Sequence, residues 1–304
     1  MAPTFRRLPK GSDYSGIAMT ENQGASQAAI QYHYDVGNAF YAPWLGPTMI
    51  YSAALWPDDA GIQSTLAEAQ YAKLDWHIAS AGLGSGDRML DIGCGWGGAM
   101  RRAVDGAGIG EAVGLTLSEA QANWIEEHHQ DQPIQTQVRP WQAYRDDQPF
   151  DGIISIGAFE HFAKPEMDRA AKIAHYAEFF RFCADSLKPG GRLSLQTIVW
   201  MNVAPEAEAG NLPLHIFPES NLPHVSEVFE AAAPSFHPMD FHNRPRDYSR
   251  TLREWIRGLG SKRAELSAMT DGETVKRYRD GFAGFVLGFD KGVIGLTRYS
   301  FLKR

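Results

Sequence analysis

Residues 88–103 read RMLDIGCGWGGAMRRA, in which the glycine-rich turn 91–98 follows a short apolar run and precedes a helix-forming segment. Glycine allows the backbone to turn sharply and to approach a ligand closely, and the free amides at a helix N-terminus favour a carboxylate or phosphate. A dinucleotide-binding loop is one interpretation of such a turn. That loop would have the spacing G-x-G-x-x-G, whereas the last glycines here fall at 97 and 98, which disfavours the interpretation. The next apolar run, 111–117, also ends without the acidic residue that commonly binds ribose hydroxyls in nucleotide-binding proteins.

From Arg88 onward the chain alternates between short apolar runs and helical segments. Such alternation is typical of a parallel sheet with helices on both faces, and it predicts an α/β fold. The string KPGG, 188–191, is expected to end a helix and to turn the chain into the next strand. The predicted strands lie in the runs 88–93, 111–117, 150–157 and 191–200.

The segments outside these runs suggest how the rest of the chain is organised. Residues 1–27 lack periodicity and are expected to form a mobile arm, and 28–81 to form a helical cap. Residues 201–250 lack the alternation, and an insertion of that length usually covers an active site. The block from Tyr248 to the end regains apolar patterns and is expected to complete the sheet.

Composition limits the class of partner. The chain has 304 residues and a formal charge of −7, so nucleic acid is not an expected partner. The only cysteines, Cys94 and Cys183, form no metal-binding pair and no disulfide framework, which indicates a cytoplasmic protein without a metal site. No apolar run approaches the roughly 20 residues that span a bilayer, so stable membrane insertion is not expected. The oligomeric state stays open.

Five strings together resemble the family of cyclopropane-fatty-acid synthases and mycolic-acid cyclopropane synthases. The resemblance runs from about residue 28 to the C-terminus and is weakest at 201–245 and around 260–280. It implies a Rossmann-like class I methyltransferase domain, 28–304, with a mostly parallel seven-stranded sheet, helices on both faces and a helical cap. It also implies S-adenosyl-L-methionine as the cofactor. The strings are HYDVGNAFY (33–41), PTMIYSAALW (47–56), LDIGCGWGGAMRRAV (90–104), VGLTLSEAQ (113–121) and SIGAFEHF (155–162).

The resemblance also implies a set of cofactor-binding residues. In that set Thr116 and Gln121 take over hydrogen bonding from the missing carboxylate, and Trp141 packs on the adenine, although a tryptophan beside Pro140 could equally belong to the core. The implied residues are Tyr34, Tyr51, Ser52, Gly93, Gly95, Thr116, Leu117, Gln121, Trp141, Gln142 and Ile156.

Glu160 is the strongest candidate for a catalytic residue. It follows an apolar run at the sheet edge where open α/β sheets bind ligands, and a carboxylate there is poorly explained by packing. His161 beside it is expected to be structural. In the resembling family an alkene is methylated and a carbocation results, which aromatic faces would shield. Tyr34 and Tyr248 complete the predicted catalytic set, and Phe159, Gln196 and Trp200 are predicted to contact the substrate.

The chain departs from the family at the residues that bind bicarbonate, the general base of the cyclopropane synthases. The family uses a cysteine, a glutamate, a histidine and a tyrosine for this purpose. Here the cysteine position is Ala53 and the histidine position is Gln196, so only Glu160 and Tyr248 remain. We therefore expect methylation that ends in simple proton loss, with Glu160 as the proton acceptor.

Basic residues are concentrated between Arg244 and Arg263, a segment that contains seven basic residues and two acidic ones. Arginines beside an active site suit a phosphate or carboxylate, so Arg244 and Arg246 are predicted to contact the substrate. A solvated helix face explains the same pattern.

Three acceptors are compatible with the sequence. The leading hypothesis is an electron-rich carbon of a small isoprenoid or other secondary metabolite, such as a prenyl diphosphate. The first alternative is the acyl chain of a lipid, either methylated or cyclopropanated. The second is the nitrogen of an alkaloid-like amine.

Overall fold

A computed structural model describes residues 37–57, 64–201 and 221–304. The predicted arm 1–27 and the predicted catalytic residue Tyr34 lie outside the described residues. Within those ranges no helix is both long enough and apolar enough to cross a membrane.

One seven-stranded sheet forms the centre of the molecule. Its strand order is β3-β2-β1-β4-β5-β7-β6, and β7 is antiparallel to both of its neighbours while the other pairs are parallel. The predicted class I methyltransferase fold, with a mostly parallel sheet, is confirmed. The strands are β1 (Arg88–Ile92), β2 (Glu111–Thr116), β3 (Ile134–Val138), β4 (Phe150–Ile156), β5 (Leu187–Trp200), β6 (Phe236–Asn243) and β7 (Ile294–Lys303).

Helices cover both faces of the sheet, and several begin at side chains that cap free backbone amides. Thr65 and Glu68 form a reciprocal capping box at the start of α2, and Asp168 accepts a hydrogen bond from the Ala171 amide at the start of α5. The helices are α1 (Asn38–Leu45), α2 (Leu66–Ser80), α3 (Gly98–Arg102), α4 (Glu119–His128), α5 (Arg169–Ser186), α6 (Val225–Ala232), α7 (Pro245–Ser261), α8 (Arg263–Met269) and α9 (Gly272–Asp290).

Two apolar clusters matter for the site. One, here called the aromatic cluster, joins α1, α7 and α9 to the ends of β5 and β7, and it includes Trp96, Ile198, Trp200, Leu222 and Tyr248. The other packs α5 and α6 against the opposite side of the sheet. The aromatic cluster therefore lies at the carboxyl end of β5 and the start of β7, where these strands contact α1, α7 and α9.

The structure differs from the sequence predictions in two places. Strand β6 and helix α6 lie inside 201–250, the range predicted as an inserted cap. The strand β6 escaped prediction because it is an edge strand whose residues are almost all exposed, so it lacks the apolar alternation of a half-buried strand. The string KPGG lies within β5, where the register shifts opposite β4, and the helix before it ends at Ser186.

Candidate active site

A cavity opens at the carboxyl ends of β1, β2 and β4, the edge at which open α/β sheets bind ligands. Its empty volume is about 1120 Å³, including solvent at the mouth, which is enough for a molecule of cofactor size. All ten predicted cofactor residues that are described line this one cavity. They are Tyr51, Ser52, Gly93, Gly95, Thr116, Leu117, Gln121, Trp141, Gln142 and Ile156.

The glycine turn forms the floor of the cavity. The amides of Gly93 and Cys94 both donate to the Leu115 carbonyl, which ties the turn to the end of β2. Gly93 has φ +82°, and a Cβ atom there would lie 2.5 Å from the Cβ of Ala158. Only glycine satisfies both constraints, so the backbone itself faces the cavity at this position.

The end of β2 supplies polar groups. The Thr116 hydroxyl donates to Gln121 Oε1 at 2.7 Å and accepts from the Ser118 amide at 3.1 Å. Because Gln121 uses its oxygen in this contact, its amide nitrogen is left to donate, which suits a ribose hydroxyl or a carboxylate.

Trp141 lies at the boundary between the cavity and the core. It lines the cavity, and it also packs against Phe162, Phe179 and Phe182 with ring centroids 5.5–5.8 Å apart. The core therefore fixes the orientation of an aromatic face that forms part of the cavity wall.

Comparison with known proteins identifies the family. The sequence model described as mycolic acid cyclopropane synthetase matches residues 21–299. The chain belongs to this family. It is 33% identical to cyclopropane mycolic acid synthase 2 of Mycobacterium leprae over 278 residues, 84% of this chain and 87% of that protein. The crystal structure of the mycolic acid cyclopropane synthase CmaA1 complexed with SAH and CTAB has a TM-score of 0.80 and 31% identity, covering 92% of this chain and 99% of that one.

A more distant structure shares only the fold. The geranyl diphosphate C-methyltransferase of Streptomyces coelicolor A3(2) has a TM-score of 0.63 and 18% identity, covering 90% of this chain and 98% of that one.

As a member of the mycolic acid cyclopropane synthetase family, the chain is an S-adenosylmethionine-dependent methyltransferase. The cavity fits this cofactor on its own chemistry. The glycine turn exposes backbone to the ligand, Gln121 can donate to hydroxyls, and Trp141 offers a ring face. The cofactor, when bound, supplies an electrophilic methyl group on a sulfonium.

Glu160 lies just beyond the cavity, between the lining residues Ala158 and His161. It is 6% exposed, and its Oε1 accepts a hydrogen bond from the Ile198 amide at 2.7 Å. Its Oε2 is buried and has no hydrogen bond of good geometry with any described residue. Burial raises the pKa of Glu160 to about 7, and interactions with the Ile198 amide, its own amide and the Thr197 side chain partly oppose this shift. The second oxygen can therefore accept a proton near neutral pH.

Ala53 and Gln196, the two positions that depart from the family's bicarbonate-binding residues, lie in a buried polar network around Arg298. Arg298 is 1% exposed and donates to Gln196 Oε1 at 2.7 Å, to Asp247 at 3.1 Å and to the Ala54 carbonyl at 2.9 Å. Ala53 is completely buried beside it, and its carbonyl lies 3.5 Å from the Gln196 amide nitrogen. Arg298 thus occupies the polar groups of Gln196 and Asp247 with protein contacts.

Two of the predicted substrate residues, Trp200 and Phe159, lie in different apolar clusters. Trp200 lies in the aromatic cluster together with Tyr248, a predicted catalytic residue, and the amide of Ile198 in the same cluster donates to Glu160. Phe159 is instead fully buried in the other cluster, stacked on Tyr176 at 4.4 Å.

The two predicted arginines lie elsewhere. Arg244 binds Asp247 at 2.8 Å and the Trp56 carbonyl at 2.8 Å, and Arg246 is exposed. Neither lines the cavity. Asp247, three residues after Arg244, is the nearby acid that could have indicated a local ion pair from the sequence.

Sequence reasoning left out several residues that line the cavity. Lys73 and Asp91 are buried there, and His161 lines it as well, with a pKa that burial lowers to about 4. The polar residues Gln70, Lys73 and His77 recur at helical spacing within a helix whose other inward residues are apolar. That pattern was a signal available in the sequence, because a polar stripe on a buried helix face needs buried partners.

Proposed function

We propose that the protein transfers a methyl group to an alkene carbon in the acyl chain of a lipid, with Glu160 as the proton acceptor. The observation that carries the proposal is the position of Glu160. Its neighbours in the chain, Ala158 and His161, line the cavity, and its Oε1 accepts a hydrogen bond from the amide of Ile198, a residue of the aromatic cluster. Its Oε2 is buried and has no hydrogen bond of good geometry with any described residue.

Apolar surroundings support an alkene as the acceptor. Trp96 and Met49 belong both to the cavity lining and to the aromatic cluster, and Ile198 connects that cluster to Glu160. Methyl addition to an alkene leaves a positive charge on the chain, which aromatic faces stabilise and which water would quench. The apolar cluster that includes Trp96, Met49 and Ile198 supplies surroundings of this kind beside the cavity and Glu160.

Charge distribution favours a lipid chain over a prenyl diphosphate. A diphosphate requires several cations at the substrate site, and Arg244 is engaged by Asp247 while Arg246 faces solvent. The relatives with about a third of their residues identical are named cyclopropane mycolic acid synthases, which supports a long acyl chain.

The fate of the proton follows from the polar network. Gln196 is held by Arg298, and Ala53 offers no side-chain donor, so these positions do not provide a set of free groups for bicarbonate. Glu160 then takes the proton from the chain itself, and the product is a methyl-branched alkene.

The acceptor class can be tested by label transfer. Purified protein with methyl-labelled S-adenosylmethionine would be offered vesicles of a phospholipid with monounsaturated acyl chains, geranyl diphosphate, or a benzylisoquinoline amine. We expect label in the phospholipid chain and not in saturated phospholipid, the matched control. Label only in the diphosphate or only in the amine would overturn the proposal.

A further inference from the structure

A buried lysine lies at the cofactor cavity. Lys73, on α2, is 1% exposed and lines the cavity, and its Nζ donates to the Ser52 hydroxyl at 2.9 Å. Among the described residues Ser52 is its only hydrogen-bond acceptor, and no carboxylate lies within ion-pair distance of it. A buried ammonium group with no carboxylate in direct contact is poorly compensated, so an anionic ligand group would stabilise it.

A buried carboxylate, Asp91, lines the same cavity as Lys73. Asp91 starts the glycine turn, is 2% exposed and forms no ion pair with a described residue. Burial, with repulsion from Arg298, lowers the pKa of Lys73 to about 7, and burial raises the pKa of Asp91 to about 7, while attraction between the two groups opposes each shift. A cavity with one buried cation and one buried anion suits a zwitterion better than a phosphate, which the carboxylate would repel.

The protein holds this lysine and its serine in place. Gln70 Nε2 donates to the Ser52 carbonyl at 2.9 Å, so two residues of α2 fix both polar groups of Ser52. Arg298 donates to the carbonyl of Ala54, two residues after Ser52, at 2.9 Å. The position of the ammonium group is therefore set before a ligand arrives, which reduces the ordering needed on binding.

We infer that Lys73, oriented by Ser52, binds the α-carboxylate of the methionine portion of the cofactor. Asp91 then faces the α-ammonium of the same zwitterion, next to the backbone of the glycine turn. The inference concerns the cofactor alone and does not depend on the acceptor proposed above.

The test compares two ligands that differ by one carboxylate. S-adenosylhomocysteine and its decarboxylated analogue, S-adenosyl-3-thiopropylamine, would be titrated calorimetrically in the absence of any acceptor. A charged hydrogen bond predicts that the wild type binds S-adenosylhomocysteine about 10- to 100-fold more tightly than the analogue. In Lys73→Met the affinity for S-adenosylhomocysteine should fall by about the same factor, and the affinity for the analogue should stay within about threefold.

Two further variants make the result decisive. Lys172→Met removes another buried lysine, which does not line the cavity and forms an ion pair of 3.0 Å with Glu227. This variant should keep the preference for S-adenosylhomocysteine. Ser52→Ala deletes a single hydroxyl and should reduce the preference without unfolding the protein, which covers the case that Lys73→Met does not fold. The inference fails if the wild type binds both ligands equally, or if Lys73→Met weakens both by the same factor.

Discussion

Glu160→Gln is expected to lower kcat by about 10²- to 10⁴-fold, the usual contribution of a positioned general base. Glutamine keeps the volume of the side chain and can still accept the hydrogen bond from the Ile198 amide, but it cannot take a proton. Cofactor affinity should stay within about threefold, because Glu160 does not line the cavity. Single-turnover kinetics with saturating acceptor, together with calorimetric titration of S-adenosylhomocysteine, measure the two quantities separately.

Measuring the stability of Glu160→Gln distinguishes a loss of catalysis from a loss of folded protein. Burial raises the pKa of Glu160 from 4.5 to about 7, so its contribution to the free energy of unfolding falls as pH rises between those values. At pH 8 the glutamine variant avoids the cost of a buried charge and should unfold at the same or a higher urea concentration. The matched control is Glu227→Gln, a buried glutamate paired with Lys172, which should lose stability and keep kcat.

The pKa of Glu160 also predicts how kcat depends on pH. The ionised form is the proton acceptor, so wild-type kcat should fall tenfold per unit as pH decreases below about 7, and the residual rate of Glu160→Gln should lack this step. Equal kcat values for the wild type and Glu160→Gln would show that another group accepts the proton.

Asp247→Asn is expected to reduce the free energy of unfolding by about 3 to 5 kcal/mol, because removing one partner of a buried ion pair leaves an uncompensated charge. Asp247 is 4% exposed and lies between Arg298 and Arg244, at 3.1 Å and 2.8 Å. Asparagine has no negative charge to compensate the two guanidinium groups, and it has one acceptor oxygen in place of two. Urea denaturation followed by tryptophan fluorescence measures the change.

The control for this variant is Asp290→Asn. Asp290 also pairs with an arginine, Arg253, but both side chains are more than a third exposed, so the expected loss is below about 1 kcal/mol. Equal losses of unfolding free energy in the two variants would contradict a buried ion pair between Asp247 and Arg298.

Local patterns in the sequence were enough to predict the centre of the fold. The turn 91–98 and four of the seven strands follow from glycine spacing and short apolar runs, which depend on neighbouring residues alone. The cofactor residues came from strings resembling a family, and all ten that are described line one cavity. Strand β6 was missed because it is exposed on an edge, where no apolar alternation marks a strand.

The buried polar groups could not be predicted, because their partners are far apart in the chain. Arg298 reaches Gln196 across 102 positions, and Lys73 reaches Ser52 across 21. Nothing near Arg298 in the sequence indicates that β7 brings it beside β5. Arg244 is a different case, because its partner Asp247 is only three residues away and the spacing of the two charges is compatible with a local ion pair.

The measurement that tests the account most directly counts deuterium in the product. Protein would be incubated with trideuteromethyl S-adenosylmethionine and a monounsaturated phospholipid, and the acyl chains would be analysed by mass spectrometry. Proton loss from the chain to Glu160 predicts a methyl-branched product that retains all three deuterium atoms. A product with only two deuterium atoms would show that the proton is lost from the transferred methyl, either in ring closure or in forming a methylene branch, and it would contradict proton loss from the chain.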